Sequence, residues 1–147
     1  MKFEGSFDVS ASPSRVWAIL SDPNVVAKAI PDLKSFEVKD QSSFSAEFVV
    51  KLGFIRGAMK MNFTYQNLRP NEYMQLVGRG TGAQSTVDMT IDLNLAASNG
   101  GSKISWTAVL TVGGMVAGLG ARIMEGFAKQ KVEQIVAALK ATIAASP

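Results

Sequence analysis

A chain of 147 residues has the length of one ordinary domain, enough to bury a sizeable core. With 47% hydrophobic and 18% charged residues it reads as globular, and a net charge of +3 on scattered Lys and Arg is too weak to imply nucleic acid. No Cys and no His are present, which removes disulfides, thiol chemistry, the usual zinc ligands and both Ser-His-Asp and Cys-His catalysis.

The N-terminal stretch alternates Phe3, Gly5, Phe7 and Val9 with Lys2, Glu4, Ser6 and Asp8, the pattern of a half-buried strand. It lacks the apolar run of a signal peptide. Ser12-Pro13 opens a short helix, with Ser12 as cap and Pro13 at the first helical position. Ser21-Asp22-Pro23 breaks it and starts a second short helix through Val25, Val26 and Ala29, which Pro31 ends. Strands dominate from residue 34 onward. Phe36 and Val38 mark one, and Asp40-Gln41-Ser42 its turn. Phe44, Ala46, Phe48, Val50 and Leu52 form the apolar phase of the next, with Glu47 and Lys51 opposite. The GFIRG segment, residues 53–57, reads as a loop with Phe54 and Ile55 at its tip. Met59, Met61, Phe63 and Tyr65 then alternate with Lys60, Asn62 and Thr64. A further strand runs from Tyr73 to Gly78, and GRGTG, residues 78–82, reads as its bulged or bent end. That run lacks the spacing and following helix of a phosphate loop. Val87, Met89, Ile91, Leu93 and Leu95 alternate with Asp88, Asp92 and Asn94, and Asn99-Gly100-Gly101 signals a hairpin. Ile104, Trp106, Ala108, Leu110 and Val112 complete the last strand.

From Gly114 to about Ala145 the chain reads as one long helix of about 45 Å. Val116, Leu119, Ile123 and Phe127 share one face, and Val132, Ile135, Val136, Leu139 and Ile143 form a second set rotated around the axis. Arg122, Lys129, Glu133 and Lys140 lie opposite. Gly118, Gly120 and Gly126 each cost about 1 kcal/mol relative to Ala inside a helix. Such glycines serve either tight packing on a sheet or one wall of a ligand cavity. The stretch from Val109 to Ala121 is apolar but too short and too interrupted to span a membrane.

Strand, two short helices, about six strands and a long helix, joined by tight turns, imply α+β architecture: a curved antiparallel sheet of about seven strands around a C-terminal helix, in a single domain over residues 1–147. Alternation places Phe48, Val50, Met59, Met61, Phe63, Tyr65, Leu76, Met89, Ile91 and Trp106 on the inner face, opposite Leu119, Ile123 and Phe127 of the helix. Met59, Met61 and Met89, with Met115 and Met124, give a flexible, polarizable lining, suited equally to filling core gaps and to adapting to a ligand. Phe54, Ile55, Arg56 and Met115 are the candidate entrance. Glu4, Asp8, Glu47, Asp88 and Asp92 all fall in the outer phase, so no carboxylate pair is placed inside for acid–base work. Lys131, in the row Ile123, Phe127, Lys131, Ile135, either snorkels to solvent or anchors a polar group at the cavity end.

Several segments carry a family resemblance: MKFEGSFDV, VWAILSDPNVVAKAIP, KLGFIRGAMKMNF, LVGRGTG and VGGMVAGLGARIMEGFAKQKVEQ. The element order resembles the helix-grip fold of the START and Bet v 1-like (SRPBCC) superfamily. The glycines at 53, 57, 78, 80 and 82, with the VGG and EG pairs of the last helix, narrow this to a resemblance to the CoxG family of carbon monoxide dehydrogenase subunits, over nearly the whole chain. AIPDL at residues 29–33 departs from the Cys-containing segment common in the family. No linker and membrane-attaching tail of the kind seen in some relatives follows Pro147, so direct anchorage is not expected.

The resemblance implies a non-catalytic binder or carrier of a lipid- or quinone-like molecule. It would serve a molybdenum-containing carbon monoxide dehydrogenase and its recruitment to a membrane, without itself holding a metal or cofactor. The expected location is cytoplasmic, with peripheral contact at the inner face of the membrane. Two other classes compete. A polyketide cyclase- or dehydratase-type enzyme would need polar groups inside, for which Tyr65, Trp106 and Lys131 are the available residues. A pure adaptor would have a collapsed core.

Overall fold

A computed structural model describes residues 1–145. Ser146 and Pro147, the end of the chain from which the lack of a tail was read, lie outside the described residues. Strand β1 (Lys2–Val9) leads into helices α1 (Pro13–Leu20) and α2 (Pro23–Lys28). Strands β2 (Leu33–Asp40), β3 (Ser43–Leu52), β4 (Ile55–Arg69), β5 (Tyr73–Gly82), β6 (Ser85–Ser98) and β7 (Gly101–Gly114) follow. A single 3-10 turn, Val116–Leu119, precedes the C-terminal helix α3 (Ala121–Ala145). The strands form one curved antiparallel sheet in the order β1-β7-β6-β5-β4-β3-β2, with α3 across its concave face. This is the α+β helix-grip architecture expected from the sequence.

Local chemistry sets the short helices. Ser12 Oγ accepts the Arg15 N–H at 3.3 Å and Asp22 Oδ1 accepts the Asn24 N–H at 3.0 Å, with Pro13 and Pro23 at the first helical positions. Caps of this kind contribute about 1 kcal/mol each. Both helices cover one end of the sheet. There Val16, Leu20, Ala27, Met74, Ile104 and, from α3, Ile143 are buried in a closed core. Each large apolar side chain so buried stabilises the fold by about 1.5–3 kcal/mol.

Tyr65 belongs to this end. Its ring lies 6.5 Å from that of Phe44, and its hydroxyl donates to the Leu20 carbonyl at 2.8 Å, tying β4 to the end of α1. The hydroxyl therefore sits in the core, not at a wet rim. Burial, and secondarily the Asp22 charge, raise the Tyr65 pKa far above the ordinary 10.0. The fold holds the neutral phenol. Its stabilisation is complete below about pH 10 and falls at higher pH, because the unfolded chain gains a tyrosinate that the fold excludes. Tyr65→Phe is expected to cost about 1 kcal/mol near pH 8, from the lost hydrogen bond. Urea titrations should show the gap between the proteins narrowing from pH 9 to pH 11. A gap that stays constant over that range would contradict the assignment.

Two segments differ from the sequence expectations. GRGTG is the end of β5, as expected, but it is not bulged: β5 pairs without interruption to Gly82 on both sides. Its inward glycines face β4, where a Cβ at Gly78 would lie 2.8 Å from the Phe63 ring and one at Gly80 2.3 Å from Met61 Cγ. The missing side chains let Phe63 and Met61 lie flat across β5. The long helix begins at Ala121, not Gly114. Gly114 ends β7 at φ +78°, and Gly120, at φ +95°, separates the 3-10 turn from α3. Only Gly126 is inside α3, and a Cβ there would meet nothing, so neither tight packing nor a cavity wall accounts for it.

Candidate functional site: an apolar cavity under the helix

The two halves of α3 behave differently. Leu139 and Ile143 join the closed core. The first half stands off the sheet, and a cavity of about 190 Å³ lies beneath it. Its α3 wall is Met124, Phe127, Ala128, Lys131, Val132 and Ile135, spaced three and four apart along one helical face. Strands supply Phe44, Phe48, Val49, Val50 and Leu52 (β3), Met59, Met61 and Phe63 (β4), Leu76 (β5), Val87, Met89 and Ile91 (β6), and Leu110 and Val112 (β7). Val26, Ile30, Pro31 and Asp32, at α2 and its connection to β2, close one side, and Met1 and Val116 complete the lining. The Met1 ammonium donates to the Leu110 carbonyl at 2.8 Å and so does not point free into the space. Phe44 and Phe63, stacked with centroids 4.8 Å apart, line the cavity and also belong to the closed core.

Phe48, Val50, Met59, Met61, Phe63, Leu76, Met89, Ile91 and Phe127 all border this cavity. Four other expected lining residues do not. Tyr65 is committed to the α1 core. Trp106 is in the inward phase, opposite Leu93, but its indole lies across Gly5 toward the β1 edge, 2.9 Å from where a Cβ would stand. Leu119 is in the 3-10 turn, whose residue on the cavity is Val116. Ile123 is 52% exposed. At 3.6 residues per turn it points about 110° away from the centre of the face that Met124 to Ile135 present. Val26 and Ile30 escaped the sequence reading because a six-residue helix and the connection after it show no usable period. Leu110 and Val112 did carry a signal, the inward phase of β7.

The expected entrance residues fall at one end of the sheet, where the β3–β4 and β5–β6 turns and the end of β7 meet. Gly53 and Phe54 alone form the β3–β4 turn, and Phe54 is 74% exposed. Ile55 is not at the tip: it pairs with Leu52, faces inward and is buried. Arg56 pairs with Lys51 on the outer face and is exposed, as is Met115 just after β7. Two of the outer-phase acids have partners on that face. Asp88 binds Arg79 at 2.7 Å, and Asp92 accepts from the Tyr73 hydroxyl and from Gln75 Nε2.

A 190 Å³ space walled by Met, Phe and aliphatic side chains repels water; apolar cavities of about 150 Å³ stay dry yet admit a benzene-sized guest. It can hold an apolar molecule by burial. Lys131 and Asp32 are the charged side chains on its lining, joined at 3.1 Å. Among the described residues no helix is long and apolar enough to cross a membrane.

The structure is similar to a conserved protein from Geobacillus kaustophilus, with TM-score 0.87 and 23% identity over 99% of this chain and 97% of that one. A START superfamily protein from Mycobacterium smegmatis aligns with TM-score 0.69 and 13% identity, over 97% and 96% of the two chains. Ara h 8.0201, a Bet v 1-type protein, aligns with TM-score 0.66 and 18% identity, over 97% of each chain. At these identities the likeness establishes the fold. No curated protein matches the sequence. The family model of the carbon monoxide dehydrogenase subunit CoxG matches residues 5–144. With that match spanning nearly all of its length, and with a START/Bet v 1-like helix grip around the cavity, the chain belongs to the CoxG family of carbon monoxide dehydrogenase subunits.

Proposed function

We propose that this protein is a non-catalytic carrier of a hydrophobic, lipid- or quinone-like molecule, cytoplasmic and accessory to a carbon monoxide dehydrogenase-type molybdenum enzyme. The observation that carries the reading is the apolar cavity held open between the concave face and the first half of α3. A collapsed core would have brought α3 onto the sheet along its whole length. Of the three residues on which an enzyme of the cyclase type would have drawn, Tyr65 and Trp106 lie off the cavity lining and Lys131 borders it paired with Asp32, which supports binding over catalysis.

Phe54, Arg56 and Met115, with Ile123 nearby in sequence at the start of α3, support entry and membrane contact at one end of the sheet. A basic side chain near an anionic bilayer contributes about 1 kcal/mol. Ile55 acts there as the buried footing of the turn. Hydrogen exchange tests both parts. A saturating prenylated naphthoquinone should protect amides of β4 and β6 and, earlier, residues 53–57 and 113–120. Phosphatidylglycerol vesicles, but not phosphatidylcholine vesicles, should protect the same two segments, and the dehydrogenase of the same host should protect a surface of its own. Unchanged exchange with the quinone and with a fatty-acyl lipid would sink the carrier reading. Protection confined to other segments would move the entrance away from Phe54, Arg56 and Met115.

A further inference from the structure

The charged pair on the cavity lining has a chemistry of its own. Lys131 is on the cavity face of α3, one turn after Phe127. Its Nζ donates to Asp32 Oδ2 at 3.1 Å and stands 5.3 Å from the centroid of the Phe127 ring. Asp32 is on the connection from α2 to β2, in the left-handed region at φ +59°, and its backbone carbonyl accepts the Val49 N–H at 3.0 Å. The carboxylate is thus offered from a backbone position fixed by β3. The lysine side chain is 29% exposed, against 56% for the aspartate. The ammonium is therefore the more enclosed partner, drawn against an aromatic ring at the cavity margin.

An ammonium carries three N–H donors, and Asp32 accepts one in the structure. The pair is neutral as a whole, so this margin of the cavity offers a strong donor without a net positive charge. That distinguishes it from a lone lysine, which would favour anions. A carboxylate entering beside Lys131 meets Asp32 at nearly the same range, so attraction and repulsion largely cancel and the cost of desolvating the anion is left over. A ketone or ester oxygen loses far less hydration and takes a charge-assisted hydrogen bond.

Resting on the carrier reading above, we propose that Lys131 and Asp32 form a head-group clamp that selects apolar ligands bearing one neutral oxygen acceptor over those bearing a carboxylate. Lys131 donates to the carbonyl, and Asp32 holds the ammonium in place and cancels its charge.

The test uses the full chain and three probes at pH 7: pyrene, 2-pentadecanone and tetradecanoate, measured by calorimetry or by displacement of bound pyrene. The wild-type protein should bind the ketone more tightly than the carboxylate. Lys131→Met should weaken the ketone about tenfold relative to pyrene, whereas Lys131→Arg should retain the preference. Asp32→Asn should tighten tetradecanoate about tenfold, because it unmasks the ammonium, with little effect on the ketone. Both side chains are partly exposed, so these variants should fold, and thermal melting curves report that they have. Pyrene binding with equal ketone affinity in wild type and Lys131→Met overturns the clamp alone. So does a wild-type preference for the carboxylate. Failure of the wild type to bind any of the three overturns the carrier reading and the clamp with it.

Discussion

Gly80→Ala is expected to lower the melting temperature by about 10 °C. The new Cβ would stand 2.3 Å from Met61 Cγ and 2.8 Å from the Lys60 carbonyl oxygen. Met61 can turn away, but the carbonyl belongs to the neighbouring strand and cannot move without disturbing the β4–β5 ladder, where Met61 pairs with Gly80. Overpacking of this kind costs about 1–3 kcal/mol, and a backbone obstacle places the change at the upper end. For a domain of this length that is about 10 °C. Met61 is 1% exposed and borders the cavity, so the displaced thioether has one direction in which to yield, into the ligand space. Ligand affinity should therefore fall with stability. Gly126→Ala is the matched control: the added methyl meets nothing on an exposed helical position, and the change should stabilise by about 1 kcal/mol. Equal melting temperatures for wild type and Gly80→Ala would mean that the close approach of β4 side chains over β5 is not required.

The same glycines show where the sequence was readable. Strand phase in β3, β4 and β6 was legible because large apolar and polar residues alternate there, and seven of the nine expected residues that border the cavity, Phe48, Val50, Met59, Met61, Phe63, Met89 and Ile91, follow from that period. In GRGTG the inward positions have no side chain, so the alternation vanishes while the strand continues. The start of α3 was hidden for a related reason. From Val109 to Leu119 only Thr111 is polar and no charged residue marks a boundary, and the left-handed conformation at Gly120 resets the helical phase. A helix drawn through that point carries Leu119 and Ile123 to the wrong face and leaves Met124 as one of several candidates. Lys131 was assigned to the right row, but its partner was out of reach. Asp32 is 99 residues away in sequence, on a connection with no period. Trp106 was placed on the correct face; that its indole would lean over Gly5 depends on the β1–β7 register, which pairs Gly5 with Trp106.

Met89→Trp is expected to weaken ligand binding at least tenfold with little loss of stability; Met59→Trp is expected to weaken binding and to lower stability as well. Sequence alone treats the two methionines alike, since both occupy inward positions. Their surroundings differ. Met59 is 2% exposed and pairs with Phe48 on one side and Gly82 on the other, where the backbones already approach closely: a Cβ at Gly82 would be 2.8 Å from Met59 Cα. Met59 borders the cavity too, but an indole there is crowded by these close backbones and should cost about 1–3 kcal/mol. Met89 is only partly buried, pairs with Gly78 and Leu110, and borders the cavity. An indole at that position can extend into the 190 Å³ space without displacing strand or helix. Its N–H would want a partner in an apolar setting, a penalty that Met89→Phe avoids, so the two variants together separate volume from polarity. Melting curves and pyrene binding decide the matter. Met89→Phe melting with the wild type, and failing to bind, is the outcome expected of a cavity that is the ligand site. Retained pyrene binding in both Met89 variants would place the bound molecule elsewhere, and a sharp fall in stability of Met89→Phe would mean that the space beneath α3 is already filled.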